Sequence, residues 1–63
     1  MVDIKEVIAF FGTQAHMARE LGVSAAAVTQ WVKAGAIPAQ RAIQIEALSN
    51  GQIKALDLVV QAQ

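Results

Sequence analysis

Apolar residues at Ile4, Val7, Ile8 and Phe11 follow the i, i+3, i+4, i+7 spacing that lays a single stripe along a helix. Asp3 stands just before this stripe with Glu6 three residues on, the pairing of a capping box, and Gly12 follows as a stop. The pattern predicts a helix from about Ile4 to Phe11. Thr13 supplies the next capping hydroxyl, and Met17, Ala18 and Leu21 share one face of a second helix over about 14–21 that Gly22 ends. Val23 then drops inward and Ser24 caps a third helix, Ala25 to about Ala34, closed by Gly35. Val28, Trp31 and Val32 form its apolar side, whereas Ser24, Ala25, Ala26, Thr29, Gln30 and Lys33 make the opposite side small, polar or basic.

Pro38 is well placed at or near the start of a fourth helix reaching about Leu48, with Ile43, Ala47 and Leu48 as its core stripe and Asn50-Gly51 as its end. The tail from Gln52 to Gln63 carries two patterns. Ile53, Leu56 and Val60 fit a helical face, while Leu56, Leu58 and Val60 fit strand alternation. With the helical reading taken, the expectation is an all-α domain spanning 1–63, four helices plus a short fifth. Its expected core is Ile4, Val7, Ile8, Phe11, Met17, Ala18, Leu21, Val23, Val28, Trp31, Ile37, Ile43 and Leu48.

A chain of 63 residues buries only about 60% of its unfolded surface, so its stability should be marginal and self-association would help. The apolar tail residues Leu56, Leu58, Val59 and Val60 exceed what one small core obviously hides, which favours a homodimer. There is no cysteine, and the lone His16 cannot build a metal site, so no cofactor is expected. No His–carboxylate cluster or glycine-rich phosphate loop supports an enzyme, and the body is too small for a deep small-molecule pocket. The acidic start and the lack of a long apolar run predict a soluble, untargeted protein with no membrane partner, and the lack of cysteine fits a reducing cytoplasm. Five basic and five acidic residues cancel to zero net charge, but Lys33 and Arg41 fall near the polar face of the third helix, and Asp3, Glu6, Glu46 and Asp57 fall elsewhere.

The segment from Gln14 to Lys33, QAHMARELGVSAAAVTQWVK, places Ala18, Gly22, Val28 and Trp31 at the spacing that lets two helices cross closely at roughly 90–120°. Ala18 leaves room for the crossing helix, Gly22 makes the turn, and Met17, Leu21, Val28 and Trp31 pin the pair. Trp31 lies on the Val28 side and is read as structural. This stretch resembles the helix-turn-helix of the Cro and repressor proteins of lambdoid phages. The resemblance extends from Val7 through Glu46, including Phe11-Gly12-Thr13-Gln14, Ile37-Pro38, Arg41 and Ile45-Glu46, to the short, mostly helical Cro branch.

That resemblance implies a lambda-repressor-like fold whose third helix lies in the major groove of operator DNA, in a homodimeric transcriptional repressor. Gln14 matches the family glutamine that grips a phosphate or orients its neighbours, and Ser24, Ala25, Ala26, Thr29, Gln30 and Lys33 match the groove-facing positions. Gln30 is the best base reader, since its amide pairs a donor and an acceptor with adenine. Ala25 and Ala26 depart from relatives with polar side chains there, which shifts weight toward readout of DNA shape. Lys33, Gln40 and Arg41 are candidate phosphate contacts, with His16 and Arg19 as possible additions; Arg41 has Glu46 or Asp57 as alternative partners. About 3–4 charges per protomer would then reach DNA, giving moderate salt sensitivity. The rival reading keeps the fold but uses the third-helix face or the tail for a protein partner, as an antitoxin-like or adaptor module.

Overall fold

A computed structural model describes residues 2–58 and Val60. Helices α1 (Ile4–Phe11), α2 (Gln14–Leu21), α3 (Ala25–Ala34) and α4 (Ala39–Leu48) are followed by one 3-10 turn, Ala55–Asp57. The first three helices begin where their capping side chains stand. Asp3 accepts from the Lys5 N–H at 3.1 Å while the Glu6 carboxylate accepts from the Asp3 N–H at 3.0 Å. Thr13 Oγ1 accepts from the His16 N–H at 3.0 Å, and Ser24 Oγ from the Ala27 N–H at 3.1 Å. Each satisfies a backbone donor that the helix itself leaves orphaned.

The turn between α2 and α3 depends on Gly22, whose φ of 73° and ψ of 29° lie in the left-handed region. Its reversal brings the Val23 N–H back to the Ala18 carbonyl at 2.9 Å, the 6→1 bond of a Schellman motif. The chain therefore leaves α2 and enters α3 within three residues. The two helices pack on each other, α2 also meets α1 and α4, and α1 also touches α3.

The buried core comprises Ile4, Val7, Met17, Ala18, Leu21, Val28, Trp31, Ile37, Ala42, Ile45, Ile53 and Leu58. Ile8, Phe11 and Val23 pack against it half-buried. Trp31 is 6% exposed and structural, as its helical position implies. The three residues of the expected α4 core stripe are not there: Ile43 is 65% exposed, Leu48 41%, and Ala47 is exposed as well. Helix α4 instead turns Ala42 and Ile45 inward, with buried Ser49 one turn beyond at its C-cap. Apolar side chains occur on nearly every side of α4, so periodicity alone does not select the buried one.

The fifth helix shortens to the 3-10 turn, and Leu58 directly after it is extended. Leu58 forms an isolated parallel bridge with Val2, whose N–H donates to the Asp57 carbonyl at 2.7 Å, and Val60 forms another with Ile37. Leu58 and Val60 thus lie beside the N-terminal segment and the α3–α4 connection. The tail is anchored by Ile53 and Leu58, while Leu56 is 98% exposed and Val60 is also exposed. Val59, counted among the apolar tail residues, lies outside the described residues, as do 61–63.

The turn after α4 uses a polar group in the core. Ser49 Oγ donates its one proton to the Glu46 carbonyl at 3.0 Å, with the Ile53 carbonyl at 3.4 Å as the longer alternative, and accepts from the Ile53 N–H at 3.0 Å. The Glu46 carboxylate accepts from the Ala55 N–H at 2.7 Å and ties the start of the 3-10 turn to α4. These bonds direct Ile53 inward.

Candidate nucleic-acid interface

Positions 25, 26, 29, 30 and 33 of α3 are spaced to share one helical face, and Ala25, Ala26, Thr29, Gln30 and Lys33 are all exposed. Val28 and Trp31, on the other side, are buried. Ser24 is exposed at the N-cap, with its hydroxyl accepting from Ala27. The residues selected from sequence therefore form one accessible surface, small near the helix start and carrying an amide and an ammonium group further along. A helix whose opposite face is locked into the core presents such a surface with little freedom to tilt.

Gln14 opens α2 and is exposed, and the fold brings its amide to the middle of α3. Thr29 Oγ1 lies 3.3 Å from Gln14 Oε1 and 3.1 Å from the Ala25 carbonyl. A hydroxyl carries a single proton, so it donates to one of these acceptors at a time. Donation to Gln14 leaves that amide's N–H groups free to meet a phosphate or a base acceptor. This contact joins residues 15 apart in sequence and makes one surface of the α2 start and the α3 face.

Gln40 is exposed in the first turn of α4, and Arg41 is half-buried. Pro38, at the N-cap, makes no side-chain capping bond. In α4, unlike the first three helices, no side-chain cap occupies the first backbone N–H groups, the type of donor that accommodates anions.

Arg41 departs from its expected alternatives. Its Nη1 donates to the Leu21 carbonyl at 3.2 Å and to Gln44 Oε1 at 2.8 Å, whereas the Glu46 carboxylate is engaged by Ala55. Gln44 Nε2 donates to the same Leu21 carbonyl at 3.2 Å. Leu21 ends α2, where a carbonyl has no helical donor and carries the negative end of the helix dipole. Two side chains from α4 thus cap α2 at the turn into α3. Gln44 is a residue that sequence reasoning misses; its only signal is the i, i+3 spacing from Arg41, which occurs by chance in many helices.

Arg19 and His16 are exposed on α2. No described helix is long and apolar enough to cross a membrane, and the described residues contain no group of three or more His, Cys, Asp or Glu able to hold a metal ion.

Residues 3–63 match the P22 Cro family model, described as DNA-binding transcriptional regulator Cro. The chain is similar to the regulatory protein cro of Salmonella phage P22, with 44% identity over 50 residues, 79% of each chain. Among solved structures it resembles XPH1, a hybrid sequence of Xfaso 1 and Pfl 6, two Cro proteins with different folds. The TM-score is 0.63 at 35% identity, covering 81% of this chain and 78% of that one.

Proposed function

Because the chain belongs to the P22 Cro family of DNA-binding transcriptional regulators, we propose that it represses transcription by binding a specific operator as a homodimer, with α3 in the major groove. The observation that carries this reading is the exposed face of α3, joined to the start of α2 through Thr29 and Gln14 while its opposite face is held by Val28 and Trp31. On this reading Gln30 reads a base edge, Thr29 and the Ala25 and Ala26 methyls meet thymine methyls or leave room for the groove wall, and Ser24 lies at the entry of the helix. Gln14, Lys33, Gln40 and Arg41 hold the flanking phosphates. No cofactor or catalytic step enters this function.

Dimerisation is supported by apolar side chains that the fold leaves in water, among them Ile43 and Leu48 on α4 and Leu56 and Val60 in the tail. A second copy covering them would remove apolar area from water and place two recognition helices for a palindromic site.

Selection from random duplexes, followed by gel-shift at two salt concentrations, tests the reading and yields the operator sequence in the same experiment. Enrichment of a palindromic site is the expected result. A folded protein that enriches no sequence refutes operator binding and favours a protein partner. Sedimentation across a dilution series tests the dimer separately, and a monomer at high micromolar concentration removes the stable free dimer.

A further inference from the structure

We propose that Gln44 is a positioning residue for DNA binding, holding Arg41 in place to meet a backbone phosphate beside the start of α4. The inference rests on the operator-binding reading and adds to it a residue that makes no DNA contact of its own.

Arg41, Gln44 and the Leu21 carbonyl form a closed triangle of hydrogen bonds. Arg41 Nη1 donates to both other members, and Gln44 Nε2 closes the figure. A glutamine amide suits this place because it accepts from the guanidinium with one end and donates to the carbonyl with the other. A carboxylate would keep the first bond and set its lone pairs against the carbonyl; an aliphatic residue would keep neither bond. The triangle occupies Nη1 alone. The guanidinium has five N–H donors in a planar fork, so Nε and Nη2 retain three, and these make no hydrogen bond to the described residues.

Fixing one nitrogen of a planar group fixes the direction of the others. Without Gln44, Arg41 keeps one contact to a carbonyl and regains much of its rotamer freedom, so that its guanidinium meets the phosphate in only a fraction of the complexes. The triangle also binds α4 to the last residue of α2, so the α4 start and the recognition helix that follows Gly22 are held in one frame. Both consequences depend on Gln44, and only the first acts through the charge of Arg41.

The test measures operator affinity at 50 and 200 mM salt for wild type, Arg41→Ala, Gln44→Leu and the double variant, with folding of each followed by circular dichroism. One phosphate contact contributes about 3.5-fold to the affinity change over this range. The proposed homodimer carries the substitution twice, so Arg41→Ala is expected to shrink the salt-dependent loss by about 12-fold. Gln44→Leu is expected to shrink it by roughly four- to ninefold, and the double variant to match Arg41→Ala alone. If Gln44→Leu lowers the melting temperature but leaves the salt dependence of the folded protein at the wild-type value, the residue is only structural and the proposal fails. If Arg41→Ala itself leaves the salt dependence unchanged, the phosphate role of Arg41 fails instead; if wild type binds no duplex, the operator reading fails. Should Gln44→Leu not fold, Gln44→Met supplies the same comparison with an unbranched side chain.

Discussion

The orientation of α4 decides where Gln40, Arg41 and Gln44 lie, and the same substitution at two neighbouring isoleucines tests it. Ile45 is 0% exposed and Ile43 65%. Truncating a fully buried isoleucine to alanine costs about 2–5 kcal/mol, because the lost burial adds to the cavity left behind. A 63-residue domain has roughly 3–9 kcal/mol in total, so Ile45→Ala should take a large part of its stability or all of it. Ile45→Val, at about 1 kcal/mol, gives the measurable version, a melting temperature lower by about 4–8 °C. At Ile43 the small area lost is offset by the better helix propensity of alanine, and the net change should stay within about 0.5 kcal/mol. The assay is thermal and urea unfolding of the variants, repeated at two protein concentrations so that loss of a dimer contact at Ile43 appears as a concentration-dependent difference. If Ile43→Ala destabilises a dilute, monomeric sample as much as Ile45→Ala does, α4 packs by the face carrying Ile43 and Leu48, and the hydrogen bonds from Arg41 and Gln44 to Leu21 are wrong with it.

Gln30→Ala should lose about 1–3 kcal/mol of specific binding at one base position, whereas Lys33→Ala should weaken all sequences alike and lower the salt slope by about one per protomer. A competition gel-shift against single-base operator variants separates these effects, and an unchanged base preference in Gln30→Ala would mean that the orientation assigned to α3 is incorrect. At Gly22 an added Cβ meets no atom within 4 Å, so Gly22→Ala pays only for the left-handed backbone, about 1–2 kcal/mol in denaturant unfolding. A neutral result would show that the turn does not need φ near 73°. Ser49→Ala removes the acceptor of the buried Ile53 N–H and should cost about 1–3 kcal/mol; fast amide exchange at Ile53 would accompany it, and native protection there would count against the role given to Ser49.

How legible each part is in the sequence follows from how far apart its determinants lie. The caps of α1, α2 and α3 are readable because Asp3 with Glu6, Thr13 and Ser24 each act on a backbone N–H two or three residues away. The left-handed turn at Gly22 is equally local, and the polar face of α3 follows from helical period once Val28 and Trp31 are recognised as core. The α3 candidates for DNA contact therefore fall together on one exposed surface by periodicity alone.

Other features depend on groups distant in sequence. In α4, Ile43 and Ile45 are chemically identical, and their burial is set by where the rest of the fold lies. The same holds for Arg41, whose local carboxylate neighbours are reasonable partners but which bonds to a carbonyl 20 residues earlier, in concert with Gln44. In the tail, the pattern fits helix and strand alike, and the choice falls to backbone partners at Val2 and Ile37, near the other end of the chain and in its middle. Local hydrogen bonds and side-chain period thus determined the helices, their ends and the exposed face of α3. Tertiary structure alone decided which side of α4 is buried, how the tail runs and what holds Arg41, since each of these is a competition between nearly equal local choices that a distant contact resolves.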